Sequence, residues 1–238
     1  MILLKERGYP SQTISSEEAG YGFEPTPFQL ASFGARLVHA VHTKDVGLLD
    51  RLLSCGISPN PCNAFGDSVL GLVCKRANHQ LFSCLVRHGC DLRVCDSFGR
   101  TPLHHIAWAG TFSGEAAKLV LNHDLQQLLV QDKRGMCPLQ YTRKEQWTDW
   151  IALLRESMDV YWPISNDPQK RPQTLFPRDC RGPHLPDPEN AVSTELAFHV
   201  AAGTISPEEV KAMDMETRKN YRKPVPEAQY QLFAKAGE

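Results

Sequence analysis

Two groups of residues in this chain have the types and spacing to do chemistry. His104 and His105 stand side by side, and Cys90-x4-Cys95 follows His88. An imidazole pair can serve acid/base work or ligate a metal, and Zn²⁺ takes four Cys or His donors. Neither group converges well: adjacent residues on a helix point about 100° apart, and no C-x-x-C occurs among the eight cysteines. Cys84 lies within an apolar helical run, and free cysteine packs as a small buried hydrophobe. There is no G-x-S-x-G, no phosphate-cradling glycine loop and no H-E-x-x-H. The expectation is a chain with no catalytic residue, no cofactor and no metal.

The elements that must position any site come next. The 26 basic and 27 acidic side chains leave a net charge of -1, which steers the chain onto neither nucleic acid nor an anionic membrane. That balance argues against a dedicated nucleic-acid binder. No apolar stretch approaches the length needed to span a bilayer, and MILLKERGYP lacks the apolar core of a secretion signal. Reduced thiols in the cytoplasm, the cytoskeleton included, are the expected setting.

A repeat orders the middle of the chain. Phe33-Gly34, Phe65-Gly66 and Phe98-Gly99 are spaced by 32 and 33 residues, and Leu37, Leu70, Leu103 and Leu139 by 33, 33 and 36. Each unit holds a short apolar turn (Leu37 to Val41, Leu70 to Lys75) and then a second helical run (LLDRLL at 48–53, LFSCLV at 81–86). Gly56 and Gly89 close these runs where the backbone must turn to positive φ. Pro102 takes a first-turn position, where its missing N–H costs nothing. Each hairpin has too little apolar surface to fold alone, so the core must run along the array.

DSFGRTPLHHIAWAG, residues 96–110, resembles the ankyrin-repeat motif at Asp96, Gly99, Thr101, Pro102, Leu103, His104, Ala107 and Gly110. LLSCGISPN and HGCDLRVCD resemble the ending of that repeat, with Cys90 and Cys74 where the family carries small alanines. The fourth unit keeps Asp132, Gly135, Pro138 and Leu139 but has Cys137 for Thr and Gln140 for His. Two departures stand out: about three extra residues near 110–114, and NHDLQQLLVQ, which lacks the closing glycine. The resemblance implies an all-α solenoid of about four helix-turn-helix units with β-turn fingers over residues 29–158. It also implies that Thr101 and His104 are structural, bonding buried backbone and cross-repeat partners.

Ankyrin-type proteins bind through fingers and first helices. Transferred position by position, that surface is Phe65 and Asp67; Ser97, Phe98, Arg100, His105 and Trp108; and Lys133, Arg134, Met136 and Tyr141. Aromatic side chains with arginine are the composition of interface hot spots. Two readings stand for Phe65 and Phe98, because Phe-Gly recurs with the repeat and each ring can tuck against the next finger.

Residues 1–28 show no sustained period and read as an extended arm. Seven prolines from 163 to 188 mark 159–190 as a Pro-rich extended segment. Residues 191–238 read as a helical tail, with one helix over 191–202 and a second from Ser206 to about Tyr221, opened by Ser206-Pro207-Glu208-Glu209. Arg218, Lys219, Arg222 and Lys223 suit the dipole at that helix's end, or an acidic partner. No core of its own is evident in the tail. The function expected is a non-catalytic scaffold that holds one or more proteins. The alternative is a structural subunit of a large cytoskeletal, ribonucleoprotein or organellar assembly, anchored by its extended termini.

Overall fold

In the computed structural model, residues 2–9, 11–22, 24–164 and 187–225 are described. The repeat read from the sequence is a run of helix pairs. The first pair is α3 (Ala35–His42) and α4 (Val46–Ser54), after α1 (Ile2–Glu6), a short strand β1 (Ile14–Ser15) and α2 (Pro27–Ala31). The second is α5 (Val69–Lys75) with α6 (His79–Arg87), and the third α7 (Pro102–Trp108) with α8 (Gly114–His123). In the fourth, a 3-10 turn at Pro138–Tyr141 stands in for the first helix and α9 (Trp147–Glu156) is the second. A strand β2 (Val130–Gln131) precedes it, and α10 (Met158–Tyr161), α11 (Thr194–Ala202), α12 (Pro207–Ala212) and α13 (Met215–Asn220) follow.

The helices begin where short polar side chains can hold orphan amides. Asp45, Asn78 and Ser113 accept from the amides of Leu48, Leu81 and Ala116 at the starts of α4, α6 and α8. Gly56 and Gly89 follow α4 and α6 at φ 92° and 82°. The extra residues of the third repeat are shared between a connection of five residues, 109–113, and an α8 one residue longer than α6. In place of a closing glycine, Asp124 caps a 3-10 turn at Leu125–Leu129. Gln127, fully buried within that turn, donates to the Leu92 carbonyl at 2.7 Å and accepts from the Leu103 amide at 3.2 Å.

The chain divides into two compact units. One comprises Phe23–Val73, Asn78–Asp91 and His184–Glu238. Here the C-terminal helices are integral, which corrects the reading of a tail without a core. On α11, Leu196, Ala197, Val200 and Ala201 are wholly buried, against α2 and α3. Gly34 makes this approach feasible, since a Cβ there would lie 2.5 Å from the Ala201 backbone. The Val192 amide bonds to the Gly56 carbonyl at 3.1 Å, and Asn190 Nδ2 bonds to the Ser54 carbonyl at 3.1 Å. Burying each large aliphatic side chain of α11, Leu196 and Val200, contributes about 2 kcal/mol toward holding the segment in place. The helix expected from Ser206 to Tyr221 is two helices, because Asp214 caps a new one by accepting from the Thr217 amide. The Ser206–Glu209 capping box forms as expected.

The other unit comprises Met1–Gly22, Cys74–Ala77 and Leu92–Pro183. The amino-terminal segment is packed into it, a second correction to the extended reading. Strand β1 pairs in parallel with β2, Ile14 opposite Val130 and Ser15 opposite Gln131. Tyr21 is fully buried, donates its hydroxyl to Asp124 and lies under the Arg93 guanidinium. Farther out, Arg7 donates to the Trp162 carbonyl at 2.7 Å and pairs with Asp159, and Tyr9 donates to the Pro163 carbonyl. These contacts join sequence-distant residues singly, so they leave no local period to read. Residues 165–186, most of the Pro-rich stretch, and 226–238 lie outside the described residues.

Candidate functional site

The third finger is built by Asp96. Its Oδ1 accepts the amides of Phe98 (2.9 Å) and Arg100 (3.0 Å), so one carboxylate oxygen closes the turn around Gly99. Its Oδ2 accepts from Arg100 Nε at 2.8 Å and from His105 Nε2 at 3.3 Å. Burial alone would raise the Asp96 carboxyl, but the hydrogen bonds from His105 and Arg100 outweigh it and hold the group well below the carboxylate range.

Immediately behind this, Thr101 and His104 lock the entry to α7. The Thr101 amide donates to His104 Nδ1 at 3.1 Å, and Nε2–H donates to the Met136 carbonyl of the fourth finger at 3.0 Å. Both bonds require the neutral tautomer with its proton on Nε2. Burial pushes the imidazole down to about 4, against the pull of the Met136 carbonyl and Asp132. The structural role implied for this corner is what the geometry performs. Gln140 does the same locally in the fourth unit, accepting from the Cys137 amide at 2.6 Å.

Upon this frame sits a run of rings and one cation. The Arg100 guanidinium, fixed from one side by Asp96, lies 4.6 Å from the Phe98 ring centroid and 5.2 Å from that of Trp108. The Trp108 ring stands 5.8 Å from Tyr141, whose hydroxyl donates to Asp132. Asp132 repeats the part of Asp96 on the fourth finger, accepting the Arg134 and Met136 amides at 2.9 Å each. Phe98 is 51% exposed and Trp108 45%, so both rings present a face to solvent while the other face is held. Cation–π contact is worth about 0.5–1 kcal/mol at such sites, enough to favour one rotamer over the alternatives.

Of the residues expected at a binding surface, the structure groups Phe98, Arg100, Trp108 and Tyr141. Ser97 is exposed on the same turn, and Lys133, Arg134 and the half-buried Met136 stand on the next finger, joined by the Lys133 amide to the Phe98 carbonyl at 2.9 Å. His105 is a correction. It is 3% exposed, turned inward onto Asp96 and kept neutral by burial, so it supports the finger from beneath. Phe65 and Asp67 belong to the other unit, on the second finger; Phe65 is 73% exposed, and Asp67 donates its amide to Asn63 Oδ1. Neither phenylalanine ring is tucked fully away against a neighbouring finger. Sequence reasoning passed over Asp96 as a site-shaping residue, although its spacing to Arg100 and the turn glycine carried the signal.

The family model for ankyrin repeats, in three copies, matches residues 37–129. Residues 37–129 are ankyrin repeats. The four-unit reading of the sequence thus has three units within the family match, with the 3-10 fourth unit beyond it. Similarity reaches a potassium channel of Arabidopsis thaliana, AKT2/3, 25% identical over 169 residues, which are 59% of this chain and 21% of the channel. The chain therefore spans about a fifth of that relative. No helix among the described residues is long and apolar enough to cross a membrane. No disulfide joins the described cysteines, and Cys55, Cys62, Cys74, Cys84 and Cys90 are buried, as small apolar residues would be. Desolvation drives the thiols of Cys55, Cys62, Cys84 and Cys90 upward, Cys62 to about 12.

Proposed function

We propose that the third and fourth ankyrin fingers, with the first helix between them, hold a protein partner through Phe98, Arg100, Trp108 and Tyr141, flanked by Lys133 and Arg134. Ankyrin repeats generally mediate protein–protein interaction. The observation that carries the proposal is Arg100. Its charge is neutralised by Asp96 while its planar face holds two half-exposed aromatic rings in fixed positions. Rings held in place before binding lose little entropy on contact, which is what makes an aromatic anchor effective.

The packing of the termini does not favour the assembly-subunit reading. That reading relies on arms available to tie the chain to neighbours, yet the described part of the N-terminal arm is bonded to the chain's own repeat at Tyr21, Ile14 and Arg7. An affinity capture from the native source tests the proposal, comparing the intact chain with Trp108→Ala and Arg100→Ala, and with Lys118→Ala on α8 as a control. Partners retained by the control and lost by the other two are the expected result. Equal recovery by all four proteins rules this face out.

A further inference from the structure

The unit that contains α4 and α6 holds a second cluster of donor side chains, unrelated to the aromatic ladder. Asp50 lies on α4, and Cys84 and His88 lie four residues apart at the end of α6, hence on one helical face. One oxygen gathers them: Asp50 Oδ1 is 3.0 Å from His88 Nε2 and 3.8 Å from Cys84 Sγ. All three ligand atoms lie within 4.8 Å of one another.

We propose that Asp50, Cys84 and His88 form a divalent metal site of the zinc type, clipping together the second helices of the first two repeats. The donor set of one carboxylate, one thiolate and one imidazole is a zinc set. Tetrahedral bonds of 2.0–2.3 Å place ligand atoms about 3.3–3.8 Å apart, and the separations of 3.0 and 3.8 Å bracket that span, so only small side-chain movement is needed. Cys84 is fully buried and anchored in the core, so its sulfur is positioned by packing, whereas Asp50 and His88 are part-exposed and can adjust to the ion.

The charges agree with that assignment. A carboxylate and a thiolate supply two negative charges, which a divalent ion neutralises, and His88 binds as the neutral imidazole. The thiol proton leaves to solvent as the metal–sulfur bond forms. Arg87 Nη2 competes, at 3.4 Å from the same Asp50 oxygen, but its side chain is 65% exposed and swings into water when a cation takes that oxygen. Three protein ligands leave the fourth position to a water.

The sequence reading paired His88 with Cys90 and Cys95 and set zinc aside. Helical geometry instead selects the cysteine four residues before it, and no linear spacing connects Asp50 to either.

Cobalt titration of the full chain, followed by the cobalt–thiolate charge-transfer absorption, tests the assignment. Zinc then displaces the cobalt, and zinc shifts the thermal midpoint upward. A single ion per chain is expected with the thiolate band. Asp50→Asn, Cys84→Ser and His88→Gln should each weaken binding by more than the roughly 100-fold that loss of an outer-shell partner costs, while Cys90→Ser leaves it unchanged. No thiolate band, or a band that survives Cys84→Ser, overturns the proposal. Should Cys84→Ser fail to fold, His88→Gln at its part-exposed position decides alone: unchanged cobalt affinity there refutes the site.

Discussion

Asp96 and His105 meet beneath the third finger, carboxylate oxygen to imidazole Nε2 at 3.3 Å, with the Asp96 side chain 7% exposed and that of His105 4%. The same oxygen carries Arg100 at 2.7 Å. Removing the charge therefore strands the Arg100 guanidinium, whose side chain is only 15% exposed, whereas removing the whole carboxyl also opens the turn.

Asp96→Asn keeps an oxygen for the Phe98 and Arg100 amides but loses the ion pair, and should cost about 3 kcal/mol, at the low end for breaking a buried pair. Asp96→Ala loses the turn bonds too and should cost about 1–2 kcal/mol more. All four tryptophans, Trp108, Trp147, Trp150 and Trp162, lie in this unit, so urea titration followed by their fluorescence reads it selectively. Equal midpoints for Asp96→Asn and the parent chain would show that the charge is idle.

Acid should loosen the same unit through His104. Its folded value of about 4 lies below its ordinary 6.5, so the unfolded chain binds the proton more readily. Stability is then full above pH 6.5 and is lost as pH falls from 6.5 through 4, by an amount on the order of 3 kcal/mol. His105, also lowered by burial, adds in the same direction, while the depressed Asp96 carboxyl gives way only in stronger acid. Glutamine can close this corner, as Gln140 does in the fourth repeat. His104→Gln should therefore remain folded at neutral pH and flatten the slope between pH 7 and 4 in thermal melts. An unchanged slope would assign the titration elsewhere.

Where physics acts locally the sequence was readable. The 33-residue period, the positive-φ glycines after α4 and α6, and the Ser206 capping box are settled by one or two neighbouring residues, and they stand in the structure as read. The misses involve residues that meet across long separations. Tyr21 reaches Asp124, and α11 covers α2 and α3, pairs that no window of the sequence contains. Some signal was present: LAFHVAA in α11 is apolar on all sides, the pattern of an enclosed helix, and Asp214 with Thr217 marks a new start. His105 was misplaced because its position on the repeat is ordinarily outward, whereas here Asp96 draws it in.

Gly56 and Gly89 give a controlled comparison. Both follow a second helix at positive φ, 92° and 82°. A Cβ on Gly89 meets nothing within 4 Å, whereas on Gly56 it would overlap the Asn190 carbonyl oxygen. Gly89→Ala should cost about 1 kcal/mol, the strain of a left-handed alanine alone. Gly56→Ala should cost clearly more, because the Asn190–Val192 strap must move away and its bond to the Gly56 carbonyl breaks. Limited proteolysis reads this directly, with faster cleavage near 190 in Gly56→Ala and the parent rate in Gly89→Ala. Equal rates would mean that the strap does not depend on this contact.

Tyr21 tests whether the amino-terminal segment is structural. Its ring is sealed from solvent beneath Arg93, and its hydroxyl meets an Asp124 side chain that is 8% exposed. Tyr21→Phe leaves Asp124 with one fewer donor, and the charge-assisted bond it deletes is worth about 2 kcal/mol. Tyr21→Ala also opens a cavity and should cost about 4 kcal/mol. Combining Tyr21→Phe with Asp124→Asn should cost less than the sum of the two single changes, since each removes the same bond. Tryptophan fluorescence in urea measures all four proteins. Strict additivity would show that the hydroxyl and the carboxylate act independently, and a parent-like midpoint for Tyr21→Ala would show that residues 11–22 contribute nothing to holding the third and fourth repeats.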